Sequence, residues 1–220
     1  VAPVGGMTVF LVVVGVLLAL GLIGLLALFV LNGLATKPGR FAVREMSADA
    51  VSDYIDRRAA FAIEISETTP LSRREVWERL TQVPYLSSLP FLSGPDWTVS
   101  GSDRVAVGAT RSMSGTILSV SQQVVGVVER EQLVLVGTGI SLPWAIKDFA
   151  ERFTITDGAR LNTLTVTWEI AGSPRWVAFL PWRWCAPIAR PVLAFVLRHI
   201  LRLKAFRRPG TVAADQSRPS

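Results

Sequence analysis

The sequence predicts an α+β protein: an antiparallel sheet of about seven strands curved around a long C-terminal helix, preceded by one transmembrane helix. Three observations predict it. Met7 to Ala35 carries no charged side chain. From Ala60 to Gly172 the apolar pattern runs mainly in twos with turn residues between. After Gly172 the period returns to that of a helix. Helices segregated to one face of an antiparallel sheet are α+β, and a sheet curled around a helix encloses an apolar space.

The first run is long enough to cross a bilayer core of roughly 30 Å, which needs about 20 apolar residues in a helix. A signal peptide competes, because Gly33-Leu34-Ala35 mimics a small-residue cleavage site. However, no Lys or Arg precedes the run, and the run is too long. Gly21 and Gly24 are three apart, not four, so no small-residue dimer motif is expected. Lys37, Arg40 and Arg44 follow at once, before the first acid, Glu45. The positive-inside rule then puts the N-terminus outside and the rest in the cytoplasm of a single-pass cell-membrane protein. The lone Cys185 suits a reducing compartment.

The expected organisation is an anchor over 1–35, a juxtamembrane linker over 36–59, a folded domain over 60–208 and a disordered tail over 209–220. Thr36-Lys37-Pro38-Gly39 ends the span. Ser47 to Arg58 reads as a short amphipathic helix capped by Ser47 and closed by Arg57 and Arg58. Its apolar face (Val51, Tyr54 and Ile55) has two available partners, the domain and the bilayer surface.

Phe61, Ile63 and Ile65 alternate with Ala62, Glu64 and Ser66 as a half-buried strand ended by Pro70. Ser72-Arg73-Arg74-Glu75 is a capping box, and Val76, Trp77 and Leu80 give the helix behind it a buried stripe. A second short helical turn is expected over 85–90. Strands follow near 97–101, 105–115, 117–129, 132–140, 148–156 and 161–171. Turns fall at Gly115, Arg130-Glu131, Leu142-Pro143 and the hairpin pair Asp157-Gly158. Gly137-Thr138-Gly139 marks a bulge or close packing. Pro191 to Phe206 reads as the final helix, with Val192, Phe195, Val196, His199, Leu203 and Phe206 along one side.

In that order, these segments resemble the START-like (SRPBCC, polyketide cyclase/dehydrase and lipid transport) helix-grip superfamily. The likeness rests on Ile63 to Pro70 followed by Ser72 to Trp77, on Val107-Gly108-Ala109-Thr110, on Val127-Val128-Glu129 and on Leu201-Arg202-Leu203-Lys204. It covers about 61 to 206. It implies a hydrophobic ligand in the cavity and no universal catalytic residues. The chain departs from the family in its anchor and in the Trp- and Arg-rich stretch before the last helix.

The net charge of +6 is concentrated late. After Glu169 no acid occurs until Asp215, while Arg175, Arg183, Arg190, Arg198, Arg202, Lys204, Arg207 and Arg208 accumulate. On a tethered protein, anionic lipid headgroups are the simplest partner. Nucleic acid is not expected, because no zinc-finger or RNA-recognition motif is present. Trp176, Trp182, Arg183 and Trp184 have the composition of a membrane interface, with a lid over the sheet as the competing reading.

No catalytic set stands out. One His and one Cys do not make a zinc site, and no phosphate loop or dinucleotide fingerprint occurs, so neither metal nor cofactor is expected. His199 reads as a packed residue on the last helix. Phe149, Glu151, Phe153 and Ile155 share one face of their strand, and Arg111 and Met113 share one of theirs. If both faces point inward, Arg111 and Glu151 must pair, since buried charges are costly alone. The plainer expectation is a bulge or register shift that puts one or both in solvent. Gln122 and Trp168 are further inward candidates, and Val192, Val196 and His199 would close the cavity from the helix. The leading function is a membrane-anchored binding protein for a lipid or other hydrophobic small molecule. The alternatives are a cyclase/dehydrase-type enzyme using these polar groups, and an accessory subunit docked to a membrane-protein partner.

Overall fold

The computed structural model describes residues 4–81, 86–87, 89, 92–98, 105–116, 118–143, 145–175 and 186–202. Helix α1 (Val4–Ala35) is long and apolar enough to cross a membrane, and its most apolar stretch has no share buried in protein, whereas Ala35 at its end is buried. Thr36 Oγ1 donates to Gly33 O at 2.8 Å, and Gly39 takes the left-handed φ of 75° that turns the chain away.

The expected linker is not slack. Its strand β1 (Phe41–Ala42) pairs with Ile140 and Gly139 of β6 (Gln132–Ile140). Val43 N donates to Thr138 O at 3.2 Å and Arg44 N to Lys147 O at 3.0 Å. The neck therefore lies between β6 and β7 (Ile146–Asp157), whose own pairing stops at Val136 and Ala150. Two further contacts tie down the end of α1: Asn32 Nδ2 donates to Thr116 O at 3.1 Å, and Ser119 Oγ donates to Ala35 O.

Helix α2 (Ala48–Asp53) runs into a π-helical turn over Tyr54–Arg58. Ser47 makes no side-chain cap bond, contrary to expectation; Asp53 instead pairs with Arg58 at 2.7 Å. Val51, Tyr54 and Ile55 pack on the outer face of the sheet, against Val134, Val136, Ala150 and Ala171. Of the two partners open to this face, the domain takes it. The Tyr54 hydroxyl donates to the buried Asp148 carboxylate at 2.6 Å and lies 3.0 Å from Ser173 Oγ.

The remaining strands are β2 (Phe61–Thr69), β3 (Leu92–Trp97), β4 (Thr110–Gly115), β5 (Ser119–Val128) and β8 (Leu164–Pro174). The sheet order is β2-β8-β7-β6-β5-β4-β3, with every pairing antiparallel. These strands form a curved half-barrel, with helix α3 (Arg73–Thr81) and helix α4 (Ala186–Arg202) on its inner face. This is the α+β helix-grip arrangement. The capping box at α3 forms as expected: Ser72 Oγ donates to Glu75 Oε2 at 2.7 Å and accepts from Glu75 N at 3.3 Å. The Ser72 backbone N–H, which donates to Glu75 Oε2 at 2.9 Å, and then the Ser72 hydroxyl hold the exposed Glu75 carboxyl below its ordinary pKa.

Several boundaries differ from expectation. The strand near 97–101 is β3, which ends at Trp97 instead of starting there. Residues 105–109 form a turn around Gly108 (φ 93°), so β4 begins only at Thr110. Asp157-Gly158 opens a longer loop, closed by Gly158 N donating to Thr163 O at 2.8 Å, so β8 starts at Leu164. Helix α4 begins at Ala186, ahead of Pro191, with Pro187 in the first turn where an N–H is not needed. Val192 and Phe195 are 62% and 59% exposed, because Val196, Leu197, Ile200 and Leu201 form the buried stripe instead. Residues 203–206, Cys185, the tail over 209–220 and most of the turn expected over 85–90 lie outside the described residues.

Two substitutions test these layers. Tyr54→Phe removes a hydrogen bond to a buried carboxylate and should cost about 2 kcal/mol in denaturant melts of the detergent-purified chain. Burial, and then Asp148, push the Tyr54 phenol above its ordinary pKa. Its stability contribution is therefore full below the unfolded value of 10.0 and is lost as pH rises through the higher folded value. The Tyr54→Phe chain should lose that alkaline sensitivity. A Cβ at Gly139 would stand 2.5 Å from Gly39 Cα. Gly139→Ala should therefore push the neck off the sheet and open residues 36–44 to limited proteolysis, while unchanged protection would refute this role for the neck.

Candidate functional site

The inner face of the sheet is apolar over most of its area. Leu133 and Leu135 of β6, Phe153 and Ile155 of β7, Val166 and Trp168 of β8, and Val124 of β5 pack with Val196, Leu197 and Ile200 of α4. Trp168 stacks on Phe153 with centroids 5.3 Å apart, as their register pairing requires.

A polar group crosses this face. Arg111, 1% exposed, donates from Nη2 to Glu151 Oε2 at 2.7 Å and from Nε to Gln122 Oε1 at 2.8 Å. Its guanidinium carbon lies 5.6 Å from the centroid of the Trp97 ring. The expectation that a bulge or register shift would put Arg111 or Glu151 in solvent is thus wrong. Bulges do occur, between Ser121 and Gln122 and between Val124 and Gly126 of β5 against β6, but they leave both charges facing inward. The first is the irregularity expected at Gly137-Thr138-Gly139.

Strand order explains the contact. Arg111 on β4 and Glu151 on β7 are three strand steps apart, about 14 Å along a flat sheet. The two long side chains cover part of that distance, and the curl of the sheet lets them leave it at a steep angle and still meet at 2.7 Å. Gly137 helps on β6: a Cβ there would stand 2.1 Å from the Phe149 ring, so its absence makes room for that ring.

The other expected site residues divide. Phe149, Phe153, Trp168 and Val196 are buried, and Met113 packs at the edge of the same core. Val192 turns outward, while His199 is half-buried and stacks on Phe195 with centroids 6.2 Å apart. The periodicity of the last helix misled here, because α4 carries two apolar stripes and the sheet buries the other one. Trp176, Trp182, Arg183 and Trp184 lie outside the described residues. Trp97 was not foreseen; its signal was the pairing of Trp97 with Arg111, which is visible only once β3 is placed.

On the outer face, Arg152 and Glu169 are a register pair joined at 2.7 Å, and Arg152 also donates to Ser52 Oγ at 3.0 Å. The Glu169 hydrogen bond raises the Arg152 pKa. This pair fastens α2 to the sheet and is separate from the inner face. A third feature, an open groove of about 680 Å³, lies between Pro70–Arg73 and the 157–164 loop.

No family profile matches the chain, and no curated protein matches its sequence. Solved structures do match. Protein XoxI from Bacillus cereus aligns at 12% identity and TM-score 0.48, covering 64% of this chain and 94% of that one. A START superfamily protein from Mycobacterium smegmatis aligns at 10% and 0.46, covering 63% and 90%. CalU16 from Micromonospora echinospora aligns at 12% and 0.43, covering 63% and 71%. The fold assignment rests on the chain's own sheet order and packed C-terminal helix.

Removing one partner of a buried ion pair strands the other. Arg111→Met or Glu151→Leu alone should each destabilise the chain by about 3–5 kcal/mol. The double replacement should recover most of that loss in the same denaturant melts. Simple additivity of the two losses would show that the contact is not the constraint described.

Proposed function

We propose that the protein is a membrane-anchored binding protein for a lipid or other hydrophobic small molecule, holding or presenting it at the cytoplasmic membrane face. The observation that carries this reading is the inner face: apolar walls from five strands and α4 around one self-neutralised polar group. Such a face suits a water-poor ligand with a few fixed polar contacts. The anchoring half rests on α1, an apolar helix with nothing packed along its spanning window, and on exposed Lys37, Arg40 and Arg44 behind it. Glu151 and Arg111 are committed to each other, which suits orienting a ligand better than proton transfer. Membrane lipids are the surroundings such a span requires, and the composition of the stretch from Trp176 to Trp184, rich in Trp and Arg, fits the same interface.

Native mass spectrometry of the detergent-purified full chain tests the reading. A hydrophobic molecule retained in a fixed ratio is expected. A bare chain would remove the binding role, and a reproducible protein partner would replace it with the accessory-subunit role. A reporter fused after Ser220 should be active only in the cytoplasm, and activity outside would reverse the orientation.

A further inference from the structure

Among the described residues, three buried N–H donors of the sheet's inner face or its edge lack an acceptor, Gln122 Nε2, Trp97 Nε1 and Trp168 Nε1, besides Arg79 Nε on α3. The Gln122 side chain belongs to a residue that is 0% exposed, and its orientation is dictated. Arg111 can only donate, so Gln122 must turn Oε1 to Arg111 Nε, and its amide nitrogen must point elsewhere. A buried donor left unmet is a standing cost, and native structures retain few of them. Trp97 is in register with Arg111, and Arg111 with Gln122, so two of the three donors stand in one row across β3, β4 and β5. Trp168 lies two residues along β8 from Ile170, the register partner of Glu151. The donors thus flank the ion pair at both ends.

Resting on the binding role above, we propose that the inner face takes an uncharged ligand whose carbonyl or hydroxyl oxygen accepts a hydrogen bond from Gln122 Nε2. The Trp97 indole stands in the same row for a second oxygen. The charge balance fixes the class. Among the described residues, the buried charged side chains are Arg111, Glu151 and Asp148, and Asp148 belongs to the outer face beneath Tyr54. Arg111 and Glu151 sum to zero. A carboxylate or phosphate brought beside them would be a buried charge without a partner, at a cost no single amide donor offsets. Ketones, esters, quinones and alcohols on an apolar skeleton meet the orphan donors without that cost.

The test uses the full chain in lipid nanodiscs, titrated with tridecanone, the parent alkane tridecane and the carboxylate tridecanoate, and followed by tryptophan fluorescence. The ketone should bind about 5–10-fold more tightly than the alkane, the gain of one neutral hydrogen bond. The carboxylate should bind no better than the alkane. Gln122→Met removes the donor without adding a charge, and should erase the ketone's advantage over the alkane. Gln122→Leu serves as the second variant, and circular dichroism verifies the fold of each. Equal binding of ketone and alkane, tightest binding of the carboxylate, or a ketone preference that survives both substitutions would overturn the inference and leave the binding role standing. No response to any of the three compounds would overturn both.

Discussion

A guanidinium sealed inside an apolar domain constrains everything around it. Arg111 is tolerable at 1% exposure only with its charge cancelled and its donors met, and the carboxylate that does so is three strands away. The sheet is curled where they meet, Gln122 must show Arg111 an oxygen, and Trp97 lies beneath the guanidinium with its ring. The same curl forms the concave side on which α3 and α4 pack. The buried pair, the curvature and the core therefore fit one another.

The opposite side is closed by different means. Segments that precede the sheet in the chain wrap its outer face: β1 and the residues after it fill the splay between β6 and β7, and α2 with its π-helical turn covers Val134, Val136, Ala150 and Ala171. Central strands are thus buried on both faces. The run Leu133 to Val136 is wholly buried, which is why β6 reads as a continuous apolar stretch and not as an alternation. Asp148, caught beneath α2, accepts a hydrogen bond from the neutral Tyr54 hydroxyl, whereas Arg111 meets the opposite charge of Glu151.

What the sequence revealed follows where the determining interactions lie. The apolar span, the capping box at Ser72 and Glu75, the β2 alternation and the bulge at Gly137-Thr138-Gly139 are local, and each was legible. The inward phase of Arg111 and Glu151 was also present in the alternation of their strands. Whether those phases met depended on two intervening strands and their bulges, so the solvent-facing alternative looked simpler. The β3 strand was misplaced because Ser93-Gly94-Pro95-Asp96 has turn composition, and its pairing with β4 overrides that preference. The face of α4 was misassigned because Ile188, Val192 and Phe195 form an apolar stripe as regular as the buried one. Only the position of the sheet distinguishes them.

The neck has a mechanical consequence. A flexible tether lets a domain wander at heights set by the length of its linker. Here Asn32, Ala35 and the β1 pairing clamp the helix end to the sheet, so there is no slack to wander with. With α1 in a bilayer, the stand-off of the domain is set by hydrogen bonds, and helix and sheet tilt together as one lever. The remaining freedoms are spin about the membrane normal and lateral drift. Any encounter of the domain then takes place in a plane and not in a volume, and any force on the anchor is felt first where β4 turns into β5, at Thr116 and Ser119, and then at β6, the strand that also underlies the Arg111–Glu151 bridge.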